Sequence, residues 1–187
     1  HIMSEANSPA TLKPQLSAIE ARLLGVLMEK QQTTPNTYPL TVNSLVLGCN
    51  QKTSRVPVTN YTSGEVQHCA RQLANRKLIN IDSSSRVERY SQRLTAVLGV
   101  DRGKQALLSM LLLRSIQTVH DLFTRTQRMY DFDNDQHVGD ILEQLCQTAT
   151  PMVQRIPRQI GQRENRFVHL LSGVPDLTAM PAPRSDN

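Results

Sequence analysis

Tryptophan is absent from this 187-residue chain and aromatic residues make up only 4% of it. That scarcity fits small helical cores built on Leu, Ile and Val better than a β-sandwich. Cysteine is scarce as well. Cys49, Cys69 and Cys146 are odd in number and far apart, so neither a C-x-x-C pair nor a disulfide framework can be drawn. They read as small buried hydrophobes in a reducing compartment. The longest apolar run, Ala106 to Leu113 interrupted by Ser109, falls far below the ~18 residues of a membrane span. Residues 1–15 are polar and carry Pro9 and Pro14, unlike a secretory signal, and His1-Ile2 ahead of Met3 reads as a cloning remnant. The expectation is a soluble cytoplasmic protein with no membrane partner.

Catalytic signatures are missing too. The chain contains no Gly-rich phosphate loop, no G-x-S-x-G and no Cys–His pair with a supporting acid. Asp131-x-Asp133-x-Asp135 opens like a calcium loop, yet the sixth position is not Gly and the twelfth is not Glu. It reads as turn and helix-cap polarity. His68 and His120 have no Cys or His at ligand spacing. The expectation is therefore no enzyme, no cofactor and no metal.

What is present is a pattern stated twice: three helices and then an Arg-bearing two-stranded ribbon. This predicts an α+β, mainly helical fold of two tandem winged helix-turn-helix domains, residues 16–95 and 99–174. Residues 1–15 are expected to form a disordered lead and 175–187 a disordered tail. Ser17 and Glu20 form an S-x-x-E capping box before a helix whose Leu16, Ile19, Leu23, Leu24, Leu27 and Met28 recur at helical spacing. Thr33-Thr34-Pro35 stops it, and a short helix follows from Thr41. Thr62 and Glu65 box a third helix with Val66, Cys69, Ala70, Leu73 and Ala74 inward. Residues 78–81 and 87–90 read as strands, with Asp82–Arg86 as the tip of the ribbon. Residues 94–100 read as a link. Beyond it, a helix near Asp101–Ser115 is apolar almost all round, which places it between the modules or at the seam of a homodimer. Thr118 caps the next helix, Val138 to Leu145 marks another, and 153–156 with 166–170 form the second ribbon.

The string Glu29-Lys30-Gln31-x-Thr33-Thr34-Pro35-x-x-Tyr38-Pro39-Leu40, followed by Asn43 and by Cys49-Asn50-Gln51-Lys52-Thr53-x-Arg55-x-Pro57-Val58, resembles the bacterial YceH-like family. The resemblance extends to Leu111-Leu112-Leu113-Arg114, Gln117-Thr118, Arg128-Met129-Tyr130-x-Phe132 and His169-Leu170-x-Ser172-Gly173. It implies a bacterial, cytosolic pair of winged-helix domains and assigns no reaction, because fold does not fix function.

Charge sits unevenly within the net +5. Residues 16–93 hold ten Lys/Arg against five Asp/Glu, whereas residues 99–174 hold nine against eight. A polyanion partner suits the first half. A winged helix sets its third helix in the major groove and reaches to the backbone with its ribbon. Candidate base readers are thus Ser63, Gln67, His68, Arg71, Gln72 and Asn75, with Arg76 following them on the same outer face. Lys52, Arg55, Arg86 and Arg89 are candidate phosphate contacts on double-stranded DNA. Four to six such contacts imply a log–log salt slope of roughly −4 to −5. Asn50, Gln51 and Thr53 can instead brace the bend of the 50–57 loop.

A second reading is a protein-interaction scaffold like the tandem winged helices of chromosome-segregation accessory proteins. It draws on the apolar helix at 106–113, the near-neutral second half and the acidic Asp131, Asp133 and Asp135. The preferred expectation is DNA binding by the first half, as in a transcriptional regulator, with the second half serving assembly.

Overall fold

Ser17 starts the first helix as the spacing predicts. Its Oγ accepts from the Glu20 backbone N at 3.3 Å, and Glu20 Oε1 accepts from the Ser17 N at 2.9 Å. In the computed structural model, which describes residues 15–177, this helix is α1, Ala18–Thr33. All but the last residue of the expected lead, and most of the expected tail, lie outside the described residues. Pro35 ends α1 and opens a single 3-10 turn, Pro35–Thr37. Strand β1 (Leu40–Thr41) and helix α2 (Val42–Cys49, capped by Thr41) follow. Helix α3 (Ser63–Asn75) begins at the second capping box, where Thr62 Oγ1 accepts from Glu65 N at 3.1 Å.

Strands β2 (Ile79–Asp82) and β3 (Arg89–Gln92) pair antiparallel, and β1 pairs with the free edge of β3. Ile81 and Leu40 both face Tyr90 across the ladder, so the sheet order is β1-β3-β2. Both ribbon strands begin later than expected: Val87 is exposed and lies outside the ladder, whereas Gln92 is within it. The reason is Tyr90, whose buried ring anchors the register.

The expected link is a helix. In α4 (Leu94–Leu98) both leucines are buried, and Gly99 ends it in the left-handed region at φ 67°. Asp101 then caps α5 (Arg102–Arg114). The first half's order recurs: β4 (Gln117–Thr118), α6 (Val119–Arg125), α7 (Asp135–Cys146), β5 (Val153–Ile156) and β6 (Arg166–His169), with sheet order β4-β6-β5.

The most extensive packing between elements is α1 on α5. Residues Glu20 to Glu29 of α1 are buried without a break, and so are Gln105 to Leu113 of α5. Neither helix has a solvent face in these stretches because each is covered by its own half and by the other. Gly25 marks their close approach, since a Cβ there would lie 2.9 Å from the Leu113 side chain. Most buried apolar residues of both halves form one continuous core, from Leu16 and Leu23 through Leu108 and Leu111 to Phe167, while Ile116, Ile156 and Val168 form a small cluster of their own. The apolarity that suggested a dimer seam is thus taken up inside one chain. Among the described residues no helix is long and apolar enough to cross a membrane.

Candidate nucleic-acid interface

Helix α3 divides into two faces. Val66, Cys69, Ala70 and Leu73 are buried against α1 and α2, while Ser63, Gln67 and Arg71 form one exposed stripe at four-residue spacing. His68, Gln72 and Asn75 form a second exposed stripe beside it. The six candidate base readers therefore share one solvent face. Arg76 does not belong to it. It caps the end of α3 and turns to Glu20, 3.1 Å away, where both side chains are mostly buried.

The ribbon brings an unexpected carboxylate to this surface. Arg71 Nη2 lies 3.1 Å from Glu88 Oε1, and Glu88 also accepts from Tyr90 Oη at 3.0 Å and Ser83 Oγ at 3.4 Å. The Tyr90 hydroxyl, and then the Arg71 guanidinium, hold the Glu88 carboxyl below its ordinary range, so it is anionic at neutral pH. Arg71 remains more than half exposed. Glu88 was legible only as part of a strand; an acidic residue two positions before the ring that anchors the ribbon was the available signal.

Arg86 lies exposed at the tip and Lys52 exposed in the 50–57 loop; among the described residues neither makes a hydrogen bond or ion pair. Arg89 is exposed, with Nη1 donating to the Pro39 carbonyl at 3.1 Å. Arg55 is the correction. Its side chain has no solvent exposure, Nε donates to the Gly48 carbonyl at 2.9 Å, and the guanidinium pairs with Glu29 at 2.8 Å. A group so covered cannot touch a phosphate.

The loop that carries Arg55 is braced as its amides and hydroxyls allow. Asn50 Nδ2 donates to the Tyr61 carbonyl at 2.8 Å, and Asn50 Oδ1 accepts from Tyr61 N and Thr59 Oγ1. Val56 N donates to the Leu113 carbonyl at 2.9 Å, which ties the loop to α5.

The corresponding face of the second half is acidic. Asp135, Gln136 and Asp140 are exposed on α7, and Glu143 is paired with Arg155 at 2.8 Å. Asp135 meets His120 Nδ1 at 3.1 Å, while the His137 Nδ1 accepts from Asp133 N at 3.1 Å. Among the described residues no three His, Cys, Asp or Glu gather to hold a metal ion.

Residues 16–162 match the family model described as "Protein of unknown function, DUF480". A UPF0502 protein of Cellvibrio japonicus (strain Ueda107) is 56% identical over 91% of this chain and 78% of its own length. A UPF0502 protein of Azotobacter vinelandii (strain DJ / ATCC BAA-1303) is 44% identical over 98% of this chain and 81% of its own. Another, from Ectopseudomonas mendocina (strain ymp), is 45% identical over 98% of this chain and 86% of its own. Match and identity cover most of the chain, and it belongs to the bacterial DUF480/UPF0502 family.

Proposed function

We propose that the first half is a winged-helix module that binds double-stranded DNA through α3 and the β2–β3 ribbon, with the second half as its platform. The element order supports this reading: helix, short strand, two helices and a ribbon whose last strand lies in the middle of the sheet. The observation that carries it is the α3 face. Gln67, His68, Arg71, Gln72 and Asn75 stand exposed together, and amide and guanidinium groups match the edges of adenine and guanine. Lys52, Arg86 and Arg89 flank that face as candidate backbone contacts. With Arg55 removed, four cations remain, counting Arg71, and the salt slope falls to roughly −3 to −4.

The second half suits a different role. Asp135 and Asp140 on α7 would repel phosphate, which favours a protein partner there and supports an interaction scaffold as the alternative reading. Fluorescence anisotropy of a short random-sequence duplex at two salt concentrations separates the two. The DNA reading expects salt-dependent binding that weakens in Arg71→Ala and Arg86→Ala. Equal binding by all three proteins, or none at low salt, discards this surface. A stoichiometric protein partner recovered without nucleic acid supports the scaffold.

A further inference from the structure

Two guanidiniums, Arg22 and Arg55, are buried at the 50–59 loop, and among the described residues only Arg55 has a counter-ion. Arg55 has Glu29. Arg22, 4% exposed, donates only to neutral oxygens: Nη1 to the Cys49 carbonyl at 2.9 Å and Thr59 Oγ1 at 3.0 Å, and Nη2 to the Pro57 carbonyl at 2.6 Å. Among the described residues its buried Nε has no hydrogen-bond partner. A guanidinium has five N–H donors, so Nε and one hydrogen of Nη2 remain, and these two nitrogens form the edge that grips a carboxylate side-on. Burial, and then the nearby Arg55 charge, lower the Arg22 pKa, in keeping with a site short of negative charge.

Arg22 lines a groove of about 440 Å³ between the two halves, within the size range of small-molecule sites. Its apolar walls include Val56, Leu111, Leu112 and Val168. His169 lines it too. Its Nδ1 accepts from Leu171 N at 3.2 Å, which leaves the ring proton on Nε2 as a second donor. Three of the strings that carry the family resemblance meet here: 49–58 through Pro57, 111–114 through Leu111 and Leu112, and 169–173 through His169, Ser172 and Gly173.

We infer that this groove binds a small apolar carboxylic acid, its carboxylate on Arg22 and His169 and its body along the aliphatic walls between the halves. A carboxylate fits better than a phosphate, because one guanidinium and a neutral imidazole balance a single negative charge. This site goes beyond the DNA reading and is tested without DNA.

The test is titration of the full chain with octanoate, read by calorimetry and by the Arg22 Nε–H resonance. Octan-1-ol serves as the uncharged match. Octanoate should bind and shift the Arg22 resonance. Octan-1-ol should bind roughly ten- to a hundredfold more weakly, the worth of a hydrogen bond to a charged group. Ser172→Phe, which narrows the groove without touching the Arg22 network, should abolish binding while the circular dichroism and unfolding midpoint stay at wild-type values. Several outcomes overturn the inference: equal binding of acid and alcohol, no octanoate binding at millimolar concentration, an unmoved Arg22 resonance, or undiminished binding by a folded Ser172→Phe protein. A peptide of residues 174–187 that shifts the resonance where octanoate does not assigns the groove to the chain's own tail, and overturns it equally.

Discussion

Arg55 and Glu29, 26 positions apart, form a two-point pair: Nη2 to Oε1 at 2.8 Å and Nη1 to Oε2 at 3.2 Å, with the arginine side chain wholly buried and the glutamate nearly so. The pair pins the loop after α2 onto α1, and with it the wall that meets α5.

Breaking that pair from the Glu29 side leaves the buried Arg55 charge without its partner, and breaking it from the Arg55 side leaves Glu29 with Lys30 Nζ alone, at 3.4 Å. Arg55→Met or Glu29→Gln alone should lose roughly 3–5 kcal/mol, and the double replacement Glu29→Met with Arg55→Met should recover much of the loss. Urea unfolding of the four proteins checks this. Single variants as stable as wild type would remove the structural role assigned to Arg55.

Arg71 and Glu88 make the opposite kind of pair, exposed and screened by salt. If the first half binds DNA as proposed, Arg71→Ala should leave the unfolding midpoint unchanged and reduce the steepness of the salt dependence of that binding by about one. Glu88→Gln removes the competing carboxylate and should tighten DNA binding. Anisotropy titrations across a salt series measure both effects. Weaker binding by Glu88→Gln would count against α3 as the contact face.

His169 ties stability to acid. Burial lowers its pKa to about 4, below the value of about 6.5 in an unfolded chain. The unfolded state therefore takes up the proton first as pH falls. The stability associated with neutral His169 is complete above about pH 6.5 and is lost as pH falls towards 4. The loss is up to about 3 kcal/mol, less where water reaches the half-buried ring. His169→Gln should flatten the acid limb between those values, measured by urea midpoints at successive pH. An unchanged limb would show the ring to be solvated.

Gly25 sets the distance between α1 and α5. A Cβ there would come within 2.9 Å of Leu113 and 3.2 Å of Leu112. Gly25→Ala should cost roughly 1–3 kcal/mol by overpacking, despite the better helix propensity of alanine. A gain in thermal midpoint would show that the helices can part freely.

Local chemistry was legible. Ser17 with Glu20 and Thr62 with Glu65 act across three residues, so the strings that spell them also specify where the helices begin. The periodic apolar positions of α3 and α7 reported their buried faces for the same reason, whereas α1, which reads as one apolar stripe, is buried all round because α5 covers its other side. Leu94–Leu98 escaped notice because five residues hold too little periodicity, and strands as short as Leu40–Thr41 have none.

Which cations face water was a different matter. In the linear order Arg55 and Arg86 are alike: basic residues in polar stretches beside Ser and Val. Only the packed chain separates them. One meets a carboxylate contributed by a helix 26 residues earlier; the other stands at the open end of a ribbon. The same holds for Arg22, whose burial depends on a loop more than thirty residues further on. Side-chain type and short-range spacing decide capping, periodicity and turn formation because those energies act within a helical turn. Desolvation of a charge depends on every segment that closes over it, and that is settled by the tertiary fold.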